Sequence, residues 1–138
     1  MTRRRVFRAL AALWLLFIWG HSVMPAAVSK QESGHFLALL QTWLPWLTDH
    51  LIRKAAHFAE YAVLGALVFL AADVRHGLWF APCFGLLSAL ADETIQLFAA
   101  GRSGQISDVW LDFAGFLTGW LIILLIALCL QRRRDDNK

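Results

Sequence analysis

A chain of 138 residues that is 59% hydrophobic and only 17% charged, with a mean hydropathy of +0.55, is too apolar for an ordinary water-soluble domain of its length. This excludes a disordered tail or a charged nucleic-acid binder, and the length allows one domain, with room for about four membrane-crossing helices of about 20 residues each. The formal charge of +3 comes mostly from basic residues at the two ends, the usual cytoplasmic flanks of membrane helices, so it reports orientation and not a nucleic-acid partner.

The first apolar run, about 6–24, follows Arg3, Arg4, Arg5 and Arg8. A cleaved signal peptide also begins basic. This run is longer than the usual apolar region of such a peptide and lacks a clear A-x-A cleavage site, so a retained signal-anchor helix is predicted. Further apolar runs cover about 55–72, 78–98 and 109–130, each near the length that crosses ~30 Å of hydrocarbon. The pattern predicts an all-α membrane protein with four transmembrane helices in one domain, 1–138.

Four crossings put both termini on one side. Arg3, Arg4, Arg5, Arg8, Arg75, Arg132, Arg133, Arg134 and Lys138 then share a face, against Lys30, Arg53, Lys54 and Arg102 on the other. Nine against four predicts a multi-pass protein of the cell membrane with both termini cytoplasmic. The turn 73–77 then lies inside, and 25–54 and 99–107 lie outside. Between the first two spans, 35–47 is apolar but too short to cross, and with Trp43, Pro45 and Trp46 it is expected to lie as an interfacial segment on the outer leaflet. Trp79 and Trp110 fall at the expected inner and outer boundaries. Cys83 and Cys129 sit toward the inner, reducing ends of their helices, at a spacing unlike any metal or redox motif. They are expected to be unpaired apolar fillers.

Ionisable residues inside the apolar lengths need an account, because each costs several kcal/mol, about, unless paired or hydrated. On the second span Lys54, His57 and Tyr61 share a face, with Glu60 beside them. On the third, rising from the inside, Asp92 and Glu93 stand about 14 residues, or about 21 Å, above its start, with Gln96 one turn further out. On the fourth, Asp108 and Asp112 lie one turn apart on a face that continues through Gly115 and Gly119, and Arg102 closes the preceding loop. All of these groups reach the outer part of their helices. One polar site is therefore predicted, holding cations (Arg53, Lys54, Arg102), carboxylates (Glu60, Asp92, Glu93, Asp108, Asp112), His57, Gln96 and Tyr61 in near balance of charge.

The pattern Arg53-Lys54-x-x-His57-Phe58-x-x-Tyr61-x-x-Leu64-Gly65, then Asp92-Glu93-x-x-Gln96-x-Phe98, Arg102, Asp108-Val109 and Gly115-x-x-x-Gly119, resembles the VanZ-like membrane proteins, with a weaker echo at 22–25. The resemblance implies an envelope-facing membrane protein linked to glycopeptide antibiotic susceptibility. The family commonly has Asn where this chain has Asp112, which adds a potential negative charge.

Several functions fit these residues. The first is recognition of an anionic, lipid-linked or cell-wall-precursor ligand beside membrane lipids, through Arg53, Lys54, Tyr61, Asp92, Gln96, Arg102 and Asp112. Arg102 and Lys54 would contact phosphate or carboxylate groups. The second is membrane-embedded acid/base catalysis with Glu93 or Asp108 as acid or base and His57 as proton shuttle. A metal set of His57, Glu60, Glu93 and Asp108 is a variant of it, but no H-x-x-x-H, H-x-x-E-H or cysteine pair supports one, so neither metal nor cofactor is assigned. Ion transport lacks a continuous polar path, and a structural ion-pair network joining the helices is the plainest alternative.

Overall fold

The computed structural model describes residues 3–72 and 74–137, without the side chains of 32, 33, 35, 36 and 74–79. The expected turn at Asp73 and the side chains of Arg75, His76 and Trp79, with Lys138, fall outside the described residues. Five helices follow in order: α1 (Arg3–Ser22), α2 (Ala26–Gln41), α3 (Asp49–Ala71), α4 (Val74–Gln96) and α5 (Ile106–Asp136). Among the described residues there is no strand.

Local chemistry sets the boundaries. Thr48, in extended conformation, caps α3 by accepting a hydrogen bond from the Leu51 N–H at 3.3 Å. Asp49 then lies in the first turn, where a negative charge suits the helix dipole. Pro25 precedes α2, and its fixed φ suits a helix entrance. Pro82 sits inside α4, where it removes one backbone donor. The loop 97–105 turns through Gly101 at φ +75°, a conformation that glycine adopts without a Cβ penalty. That turn lets the Ala100 carbonyl accept from the Ala26 N–H at 3.0 Å, which ties the start of α2 to the loop.

The four expected apolar runs overlap α1, α3, α4 and α5, and among the described residues two of these helices, α3 and α5, have the length and apolarity of a membrane span. The intervening segment differs: the helix covers Ala26–Gln41 and stops before Trp43, whereas an interfacial segment over 35–47 was expected. The helix starts beside Pro25, ten residues ahead of that run, and ends ahead of Pro45, which cannot supply a helical N–H. Trp43 stands 83% exposed in the turn that follows.

The most extensive packing is between α3 and α5. A Cβ added to Gly115 would meet the Phe58 backbone, one on Gly119 the Ala62 backbone, and one on Gly65 the Phe116 backbone. Small residues thus let the two main chains touch. Since 58 faces 115 and 62 faces 119, α3 and α5 run in the same direction. Helix α1 runs opposite to α3, with Arg8 Nε donating to the Ala71 carbonyl at 3.4 Å and Trp14 Nε1 to the Glu60 carbonyl at 2.9 Å. Helix α4 also opposes α3, with the buried Tyr61 hydroxyl donating to the Ser88 carbonyl at 3.0 Å. The core gathers Ile18, Tyr61, Leu64, Val109, Phe116 and Trp120.

Polarity is distributed opposite to that of a water-soluble bundle. Asp92, Glu93, Gln96 and Asp112 are buried, while Leu13 and Leu87 are 63% and 66% exposed. Helices α3 and α5 are long and apolar enough to cross a bilayer. Cys83 and Cys129 are free, and both are exposed and do not fill the core.

Candidate functional site

At the end of the bundle where α1 finishes and α3 and α5 begin, a cleft of about 230 Å³ opens between α2, α3, α5 and the loop 97–105. Its wall includes Arg53, Lys54, His57, Glu93, Gln96, Arg102, Asp108 and Asp112. Residues separated by up to 59 positions therefore meet because parallel α3 and α5 start at the same level and α4 ends there.

Three of the sequence-predicted residues are elsewhere. Tyr61 is fully buried one turn below, and its hydroxyl is held by the Ser88 carbonyl, so it supports the site from within the core. Asp92 is fully buried behind the wall. Glu60 also departs from the expected set. Its carboxylate faces α1, with Oε1 3.6 Å from His21 Nδ1. The successive residues Glu60 and Tyr61 differ by about 100° around the helix, enough to send them to different neighbours.

The charged groups on the wall are unequally engaged. Lys54 Nζ is 2.6 Å from Asp108 Oδ1, a charge-assisted bond between α3 and α5. Arg53 pairs with Asp49 one turn back on α3, at 3.3 Å. Glu93 Oε2 accepts the Gln105 N–H at 2.9 Å, and its Oε1 accepts from Gln96 Nε2 at 3.2 Å, so this carboxylate fastens the end of the loop, at the start of α5, to α4. Gln96 also donates to Asp92 Oδ2 at 3.2 Å. Arg102 differs from the other two cations. Half-buried, it donates to the His21 carbonyl at 3.4 Å and makes no ion pair among the described residues. Burial draws its pKa below the ordinary value, while the fields of Asp92 and Glu93 act in the opposite sense. A guanidinium nevertheless stays protonated under ordinary conditions.

His57 stands between two acids of different helices. Its Nδ1 is 3.8 Å from Asp92 Oδ2 and 3.8 Å from Asp112 Oδ1. The Ser22 hydroxyl of α1 approaches Asp92 but misses hydrogen-bond geometry. The metal set by residue type, His57 with Glu60, Glu93 and Asp108, is not the grouping found. The carboxylates close to His57 are Asp92 and Asp112.

Sequence reasoning passed over Lys30, His50 and Gln105, which also line the cleft. His50 was legible, since it precedes His57 by seven residues and so lies two turns away on the same face. Lys30 was not, because its place depends on the contact between α2 and the 97–105 loop.

An all-helical bundle with an apolar exterior and a polar cleft between its helices defines a helical membrane protein. The chain belongs to the VanZ/LLP1 family, whose model matches residues 7–127 and so takes in every motif from Arg53 to Gly119. No curated protein and no solved structure matches it.

Proposed function

We propose that this protein crosses the cell membrane four times, through α1, α3, α4 and α5, with both termini cytoplasmic. In this reading its single domain presents the cleft to the outer surface. There it binds an anionic group of an envelope lipid or a lipid-linked cell-wall precursor, and thereby influences susceptibility to glycopeptide antibiotics. The observation that carries the reading is the half-buried Arg102 at a cleft of about 230 Å³, with no carboxylate in ion-pair contact among the described residues. Its planar fork suits a phosphate or carboxylate, and the cost of burying its charge falls when an anion pairs with it. Lys54 and Arg53 add positive potential on the same wall, although each already has a protein partner.

Acid/base catalysis by Glu93 or Asp108 draws less support, since hydrogen bonds to Gln105 and Lys54 occupy them. The second reading is structural: the Lys54–Asp108 pair and the Glu93–Gln105 bond join α3, α4, α5 and the loop in one network.

Native mass spectrometry of the wild-type protein and Arg102→Ala in mild detergent separates the two. Ligand binding predicts a defined anionic lipid or precursor held by wild type and lost from a folded Arg102→Ala. Retention of the same species by both proteins, with unchanged glycopeptide susceptibility in cells, would refute the role of Arg102 and leave the network.

A further inference from the structure

At the back of the cleft, three side chains from three helices meet with several buried polar atoms lacking a hydrogen bond, although Asp92 Oδ2 accepts from Gln96 Nε2. His57 of α3, Asp92 of α4 and Asp112 of α5 each offer a ligand atom to a set lying within 4.8 Å of one another. Asp92 and Asp112 are 0% and 1% exposed. Both carboxylate oxygens of Asp112, Oδ1 of Asp92 and Nδ1 of His57 are buried without a hydrogen-bond partner. The separations of 3.8 Å between His57 Nδ1 and each acid are too long for hydrogen bonds. They are close to the edge of about 3.0–3.4 Å that joins neighbouring ligand atoms around an ion with bonds of about 2.1 Å.

Charge makes the same demand. A buried carboxylate is stable in its charged form when paired or coordinated to a metal. The neighbouring cations are not in ion-pair contact with these two acids: Lys54 bonds Asp108, Arg53 bonds Asp49, and Arg102 donates to a carbonyl. Two carboxylates would neutralise a divalent ion, and an imidazole nitrogen favours a transition metal over magnesium or calcium.

We infer that His57, Asp92 and Asp112 bind one divalent transition-metal ion of the Zn²⁺ or Mn²⁺ type. His57 and Asp112 also line the cleft, so the remaining coordination positions open toward it, where water or an oxygen of a bound anion completes the shell. The inference stands on the three ligands and does not depend on the anion-binding reading.

The test uses the full chain without a polyhistidine tag, purified in mild detergent free of chelator, loaded with Zn²⁺ or Mn²⁺, desalted, and analysed for metal by mass spectrometry. Wild type should hold about one equivalent, and Asp112→Ala at least about tenfold less. The tail variant Asp135→Asn should match wild type. Either ion should raise the apparent unfolding temperature of wild type in a concentration-dependent manner. Wild-type protein that retains under about a tenth of an equivalent of either ion after loading overturns the site, whatever the variants do. Equal retention by a folded double variant, His57→Gln with Asp112→Asn, also overturns it, because the ion is then bound elsewhere.

Discussion

Adding one methyl group at two glycines should give stability changes of opposite sign. Gly119→Ala places a Cβ against the carbonyl and Cα of Ala62, main-chain atoms that cannot rotate away as a side-chain tip would. Helices α3 and α5 must therefore separate by about 1 Å or more, loosening the contacts of Tyr61, Phe116 and Trp120 along the same seam. Overpacking of this kind costs about 2–3 kcal/mol, a large part of a total stability of about 5–15 kcal/mol. For a chain of this size it lowers the unfolding temperature by about 5–10 °C. Gly20, by contrast, is exposed in the last turn of α1 and has nothing within 4 Å of the added atom. There, Gly→Ala lowers the entropy of the unfolded chain and changes stability by up to about 1 kcal/mol in the favourable direction. The assay is thermal unfolding in detergent followed by fluorescence-detected size exclusion, with both variants beside wild type. A Gly119→Ala protein as stable as wild type would refute main-chain contact between α3 and α5. Equal loss in both variants would show that glycine itself, and not packing, is being measured.

Smaller changes probe the cleft. A double-mutant cycle with Lys54→Met and Asp108→Asn should give a coupling of about 1 kcal/mol that shrinks at high salt, since both side chains are partly exposed. Coupling within error of zero would show that the pair does not join α3 to α5. Glu93→Ala removes the acceptor of the Gln105 N–H, and deuterium exchange at that amide should quicken by about tenfold, with a stability loss of about 1–3 kcal/mol; unchanged exchange would sink the assignment. Tyr61→Phe should cost about 0.5–1.5 kcal/mol in stability and leave retention of any anionic species unchanged, because its hydroxyl bonds Ser88 and lies off the cleft wall. Lost retention at unchanged stability would return Tyr61 to the binding surface.

How much of this was legible in the sequence depended on the range of the interaction. Apolar runs marked α1, α3, α4 and α5, because the period and length of a lipid-facing helix are local properties. The common level of His57, Glu93, Asp108 and Asp112 was also legible, since a rise of about 1.5 Å per residue converts position into depth once directions alternate. Partner choice was not. A spacing of three or four fixes a face but not which neighbouring helix occupies it, so Lys54 gave no sign that it meets Asp108, nor Glu60 that it faces α1. The small residues Gly115 and Gly119 announced a close contact without naming Phe58 and Ala62 opposite them. The true extent of α2 was hidden because its hydrophobic run and its helix start were offset, the start being set by Pro25.

Hydropathy taken over a whole helix and hydropathy of its outward face give different accounts of α1. Only α3 and α5 satisfy length and mean apolarity together among the described residues. Among the described side chains of α4, Asp92, Glu93 and Gln96 are buried, while Phe80, Leu87 and Leu90 are exposed. Helix α1 exposes Leu13, Leu16 and Phe17, with its arginines confined to the first turns. Among the described residues, the exposed positions along the middle of each of the four helices are thus largely apolar, and in a bilayer only such a surface meets lipid. Four crossings with alternating direction follow as a proposal, and labelling can test it. In a background with Cys83 and Cys129 replaced by alanine, a cysteine at Ser103, exposed on the 97–105 loop, should react with an impermeant maleimide added to intact cells. A cysteine at Asp135, in the α5 tail, should react only after permeabilisation. Reaction of both from the same side would refute α5 as a crossing helix, and the reverse pattern would invert the orientation that the excess of terminal arginines implies.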